Sequence, residues 1–135
     1  KLGKESMMML AQEPEIKKTL DLVSKSDIVV FGVGRADEMI LRRNLSKEVA
    51  QEILDKGAVC ESFGYYFNKS GEIVYRLNTI GIDLESVQQA REVIAVFAGS
   101  KKIEAFLAIS KINKNLVLVT DEHSGEKLIE LIKSQ

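Results

Sequence analysis

Three short aliphatic runs, Ile28-Val29-Val30-Phe31, Val93-Ile94-Ala95-Val96-Phe97 and Leu116-Val117-Leu118-Val119, alternate along the chain with segments of helical spacing. None of the three alternates polar with apolar residues, so each reads as a buried strand. Strands that alternate with helices form a parallel sheet, because a parallel neighbour is reached only by a long crossover. Between the first and second runs, Asn68-Lys69-Ser70-Gly71 separates residues 65–67 from residues 72–77, which is the signal of a hairpin. The expected fold is therefore an α/β sheet covered by helices on both faces, with one antiparallel β-hairpin inserted.

The helices announce themselves by caps and spacing. Pro14 suits the first position of a helix over residues 14–25, with Ile16, Leu20 and Val23 on one side. Residues 37–43 make one or two helical turns. Ser46 caps a helix over 47–56 that stops at Gly57. Asp83 caps a helix to about residue 92, Ser100 opens one to about residue 110, and the last runs from about residue 121 to 133. Residues 1–12 have weak periodicity. No proline- or glycine-rich linker divides the 135 residues, which fit one domain.

Composition excludes several classes. The formal charge of −1 builds no field that would gather DNA or an acidic membrane. The longest apolar runs are far too short to span a bilayer, and no apolar stretch of signal length follows Lys1-Leu2-Gly3-Lys4-Glu5. A lone cysteine, Cys60, fits a reducing cytoplasm, and one histidine with one cysteine makes a zinc site improbable. With lysine rather than methionine as the first residue, the expectation is a fragment or a processed piece.

In parallel sheets ligands bind at the carboxyl ends of strands. Gly32-Val33-Gly34, Gly99-Ser100 and Thr120-Asp121 fall there. Ala98-Gly99-Ser100-Lys101-Lys102 joins a strand to a helix: glycine permits close approach, first-turn N–H groups attract an anion, and Lys102 adds a charge. The plain alternative is an ordinary turn with Ser100 as N-cap. Gly32-Val33-Gly34 lacks the third glycine of a dinucleotide fingerprint, since Asp37 stands in its place, and no Walker A pattern occurs. Arg42 and Arg43 either clamp a phosphate or form the solvated end of a helix, and of two adjacent helical residues one is expected to face a pocket. Glu61 either accepts hydrogen bonds from sugar hydroxyls or pairs with Arg42 or Arg43. Phe63, Tyr65, Tyr66 and Phe67 read as core and hairpin packing. Met7, Met8 and Met9 read as packing against a neighbouring element or partner. His123, with Asp121 and Glu122, has no nucleophile beside it. The set suits a polar, phosphorylated small molecule better than bond-breaking chemistry, and no cofactor is implied.

The segments 28–34 with Arg42-Arg43-Asn44, Glu61-Ser62-Phe63-Gly64-Tyr65-Tyr66-Phe67-Asn68 with Gly71-Glu72-Ile73-Val74, 94–102 and 116–122 resemble the SorC family of bacterial sugar-sensing transcription regulators. The similarity runs over nearly the whole chain, and the Glu-x-Phe-Gly-Tyr-Tyr-Phe-Asn segment is that of the family's glycolytic branch. The resemblance implies a repressor with an N-terminal winged helix-turn-helix and an effector domain of Rossmann-like fold, shared with sugar-phosphate isomerases and deaminases. It implies an effector, fructose-1,6-bisphosphate, that alters oligomer contacts and operator binding. Carried over, Arg42 holds a phosphate, Glu61 meets sugar hydroxyls and Lys102 holds a phosphate, with Gly32, Gly34, Gly99 and Ser100 around them. The chain then begins within the effector domain, with the DNA-binding domain and the first half of the sugar-binding fold outside it. Phe97 departs from the small residue usual in the family. The rival is an isomerase or deaminase of the same fold, with Glu61 and His123 as its acid–base pair.

Overall fold

A computed structural model describes residues 3–134. Two helices, α1 (Lys4–Gln12) and α2 (Pro14–Ser24), lead into β1 (Ile28–Gly32), a short β2 (Gly34–Arg35), α3 (Ala36–Arg42) and α4 (Lys47–Asp55). Then come β3 (Ala58–Ser62), β4 (Tyr65–Asn68), β5 (Ile73–Arg76) and α5 (Leu84–Gln89). The chain closes with β6 (Glu92–Val96), a 3₁₀ turn (Ser100–Lys102) running into α6 (Ile103–Ile109), β7 (Leu116–Val119) and α7 (Glu122–Lys133).

The three aliphatic runs form a parallel sheet in the order β1-β6-β7, with Val30 opposite Ile94 and Ile94 opposite Val117. The expected hairpin is β4–β5. It belongs to a larger antiparallel sheet in the order β2-β3-β4-β5. No local pattern marks β2, whose two residues are strand only because Gly34 and Arg35 pair with Glu61 and Cys60.

Val29, Phe31, Val93, Ala95 and Phe97 point from the parallel sheet into the main core, meeting Ile103, Phe106 and Ile109 of α6 and Leu128 of α7. Cys60, Tyr65 and Phe67 reach the same core from the antiparallel sheet. Directly opposed residues of an antiparallel pair share a face, so Glu61 and its partner Tyr66 point the other way. There Tyr66 joins Ala36, Ile40 and Ile53 in a second core under α3 and α4. A fully buried aliphatic such as Ile53 stabilises the fold by about 1.5–3 kcal/mol. Phe97 packs on Phe106 with ring centroids 5.6 Å apart, so the departure from a small residue serves the core.

Several boundaries differ from expectation. α1 forms despite weak periodicity but buries no residue. α5 stops at Gln89 rather than near Glu92, because Ala90 takes extended backbone and the buried Asn113 amide donates to the carbonyls of Val87, Gln88 and Ala90. The helix expected from Ser100 begins as a 3₁₀ turn after Gly99, and no side chain caps it, so Ser100 is not its N-cap. Among the described residues one face of the parallel sheet stands open: Val30 is 64% exposed, Val117 51% and Val119 52%.

Candidate functional site

Helix α3 ends in a Schellman turn that decides which arginine faces inward. Asn44 takes left-handed backbone (φ 48°), its N–H reaches the Leu41 carbonyl at 3.0 Å, and the Leu45 N–H reaches the Ile40 carbonyl at 3.2 Å. Ile40 and Leu45 both pack in the second core, which fixes the turn against the sheet. Arg42 is left exposed, while the half-buried Arg43 donates from Nη2 to Glu61 Oε1 at 2.8 Å. Of the two open pairings for Glu61, Arg43 is the partner formed.

Glu61 is only 3% exposed. A carboxylate so buried needs a counter-charge and hydrogen bonds, and it has both. Its second bond is to the Gly64 N–H, again through Oε1, at 2.9 Å. Gly64 and Phe63 form the two-residue turn between β3 and β4, both with positive φ (83° and 57°), as a type I′ hairpin requires. Phenylalanine rarely adopts that backbone, and Phe63 is held there by its ring against Phe31, centroids 4.7 Å apart. No described residue hydrogen-bonds Oε2.

The remaining polar groups near Glu61 have spare capacity. The Tyr66 hydroxyl and Arg43 Nε are buried without a partner among the described residues. Burial, aided by the Glu61 charge, pushes the Tyr66 phenol up to about 12, so it stays a donor at neutral pH. Arg43 also lines a groove of about 450 Å³ with Leu45, Val49, Tyr75 and Thr79.

The rest of the rim is set by the parallel sheet. Gly32 ends β1 opposite Val96, and Gly34 follows it to pair with Glu61. A Cβ on Gly34 would stand 2.9 Å from the Glu61 carbonyl oxygen, so only glycine lets the two strands approach here. Gly99 follows β6, and its N–H donates to Asp121 Oδ2 at 2.8 Å. Asp121 also caps α7, accepting from the Ser124 hydroxyl at 2.7 Å and the Ser124 N–H at 3.0 Å. These bonds, the Ser124 hydroxyl foremost, hold its carboxyl well below the usual range.

An anion at the Gly99–Lys102 turn therefore finds two N–H groups already occupied, that of Gly99 and that of Lys102, which donates to the Gly99 carbonyl at 3.1 Å. The first-turn N–H groups of Ser100 and Lys101 donate to no carbonyl among the described residues, and Lys102 is half-buried beside them. Lys101 lines a groove of about 480 Å³ with Arg35, Asp37 and Glu104.

Topology thus gathers Gly32, Gly34, Gly99 and Ser100 at one rim and joins Glu61 to it through β2. Arg42 lies exposed at the end of α3, and Lys102 ends the 3₁₀ turn. His123 is exposed in the first turn of α7. Tyr65, Tyr66 and Phe67 are buried as packing residues, while Met8 and Met9 are exposed. Among the described residues no three His, Cys, Asp or Glu side chains are placed to hold a metal. Sequence reasoning missed the Asp121–Gly99 tether and the role of Asn44. Asparagine after a basic pair was the available signal, since it is the residue other than glycine most at home in the left-handed region.

Residues 3–130 match the protein family described as "Putative sugar-binding domain". The chain is 38% identical over 128 residues to the central glycolytic genes regulator of Bacillus subtilis, covering 95% of this chain and 38% of that protein. It is 36% identical to the regulator of the same name in Priestia megaterium, covering 95% of this chain and 37% of that protein. The crystal structure of a "putative SorC family transcriptional regulator" from Enterococcus faecalis superimposes with a TM-score of 0.86 at 35% identity, over 96% of this chain and 53% of that one. The chain spans under two fifths of the length of these two curated relatives, both of which are named as regulators of central glycolytic genes.

Proposed function

The chain belongs to this sugar-binding domain family, and on that premise we propose that it is the effector-sensing part of a bacterial repressor of glycolytic genes. The effector is a phosphorylated sugar, fructose-1,6-bisphosphate first among candidates. Arg42, Lys102 and the N–H groups of Ser100 and Lys101 hold phosphate, and Glu61 accepts hydrogen bonds from the sugar hydroxyls. Binding selects one arrangement of a dimer or tetramer, and that choice reaches operator DNA through another part of the regulator. The protein works in the cytoplasm, where sugar phosphates are found.

The observation that carries this reading is the placing of a buried carboxylate, anchored by Arg43 and Gly64, beside the glycine rim of the parallel sheet. An isomerase or deaminase would need Glu61 and His123 to work as a pair. Glu61 is buried against an arginine, and His123 stands in the exposed first turn of α7, which supports a binding role over turnover.

The test is thermal stabilisation by a panel of sugar mono- and bisphosphates. A ligand at 100 times its Kd stabilises the native state by about 2.7 kcal/mol. A selective shift with fructose-1,6-bisphosphate, lost in Arg42→Ala or Lys102→Ala variants that still fold, is the expected result. Equal shifts in wild type and both variants would remove those residues from the site. Turnover of any sugar phosphate would favour the enzyme.

A further inference from the structure

The geometry around Glu61 assigns a task to Arg43, the arginine that the sequence left undecided. Both bonds that fix the carboxylate use one oxygen: Arg43 Nη2 and the Gly64 N–H converge on Oε1, at 2.8 and 2.9 Å. The two donors come from different elements. Arg43 is set by the Schellman turn of α3, and Gly64 by a two-residue hairpin turn whose carbonyl accepts from Leu77 N–H at 2.8 Å. A carboxylate gripped this way has little rotational freedom, and its second oxygen remains for another donor.

Tyr66 stands opposite Glu61 on the neighbouring strand, so the two side chains share one face of the antiparallel sheet. Arg43 Nε and the Tyr66 hydroxyl are buried, polar and unpartnered among the described residues. Leaving such groups unsatisfied opposes folding. A purely structural ion pair would be expected to consume its own donors. Acceptor and donors left open together instead match a hydroxyl group, which both donates and accepts.

We infer that Arg43 is a positioning residue that gives the site its selectivity for sugar hydroxyls, by fixing Glu61 through Oε1 so that Oε2 can accept from them. This inference rests on the sugar-binding reading above. Arg43 is not itself a phosphate ligand in this scheme; it acts through Glu61. The ligand class it selects is a polyhydroxylated phosphate ester, as opposed to a phosphate ester without hydroxyls.

The experiment is calorimetric titration of the full-length regulator with two probes, fructose-1,6-bisphosphate and hexane-1,6-diol bisphosphate. The second carries two phosphates on six carbons without the ring hydroxyls. Wild type is expected to prefer the sugar, and Glu61→Gln to lose about 10- to 100-fold of that preference, the scale of a hydrogen bond to a charged group. Arg43→Met should lose the same preference while binding the diol bisphosphate as wild type does. Arg43→Lys, which restores the charge but not the fork, should fall between. The double variant Arg43→Met/Glu61→Gln should bind like Glu61→Gln alone, because the two act as one unit. It also replaces the single variant should an unpaired Glu61 prevent folding.

Weakening of both probes alike by Arg43→Met or by the double variant would make Arg43 a direct phosphate ligand and overturn the inference. Wild-type selectivity in Arg43→Met or Arg43→Lys, with only stability reduced, would overturn it by making the pair structural. If wild type binds the two probes equally, or neither, the sugar-binding reading fails and this inference with it.

Discussion

Replacing Gly64 by alanine tests the turn that anchors Glu61. Gly64 has φ +83°, and placing an L-residue in the left-handed region costs about 1–2 kcal/mol. Its new Cβ would also stand 2.7 Å from Thr79 Oγ1 and 3.2 Å from Thr79 Cγ2. The turn cannot easily shift away, because its carbonyl is held by Leu77 N–H. Thr79 is exposed, so its side chain gives instead, at about 0.5–1.5 kcal/mol for leaving its rotamer. The sum is about 1.5–3.5 kcal/mol. Gly57 supplies the control: it has φ +72° with nothing within 4 Å of a Cβ, so Gly57→Ala should cost only the backbone part, about 1–2 kcal/mol. Urea denaturation resolves the difference, since slopes of about 1–3 kcal/mol per molar turn it into a measurable midpoint shift. Thr79→Ala removes both clashing atoms and should recover the excess in Gly64→Ala. If Gly64→Ala is as mild as Gly57→Ala, and Thr79→Ala recovers nothing, the close contact between the turn and Thr79 is wrong.

Three further outcomes follow from the same structure. Asp121 is held ionised in the fold below its unfolded pKa, so its bonds contribute stability above about pH 4 that is lost as pH falls further. The gap in urea midpoint between wild type and Asp121→Asn should therefore be constant from pH 8 to about pH 5 and shrink below about pH 4. The Cys60 thiol is fully buried, and desolvation pushes it up to about 12, so mass spectrometry should find it unalkylated by iodoacetamide at pH 8 until denaturant is added. The open sheet face should bind a hydrophobic dye and promote self-association of the 135-residue chain. Val30→Lys with Val119→Lys should reduce both, measured by dye fluorescence and sedimentation, with about 0.5 kcal/mol or less change in stability per site. Unchanged association in that variant would mean the face is not what brings copies together.

Exposure of that face has a physical meaning of its own. All-parallel sheets occur almost only with both faces covered. Here Ile28, Val30, Val96, Val117 and Val119 lie open, while the Enterococcus faecalis structure extends well beyond the part that this chain matches. The same five residues were legible as strand residues, yet whether both sides of a strand find a neighbour is a property of the assembled layers.

Sequence alone determined what depends on near neighbours along the chain. The three aliphatic runs became β1, β6 and β7, Ser46 and Asp83 cap their helices with side-chain bonds, and Asn68-Lys69-Ser70-Gly71 turns a hairpin. Burial of Tyr65, Tyr66 and Phe67 was legible too, because large apolar surface is costly to leave in water. Tertiary structure decided the rest. β2 exists only through its partner strand, and Phe63 keeps its left-handed backbone because register and the ring of Phe31 require it. The choice between Arg42 and Arg43 belongs there as well. Adjacent helical residues point about 100° apart, so which one meets a carboxylate 18 or 19 positions on depends on how the helix end is rotated against the sheet. That rotation is fixed by the Asn44 turn, which the asparagine signals locally, and by the packing of Ile40 and Leu45 in the second core, which no local pattern in the chain encodes.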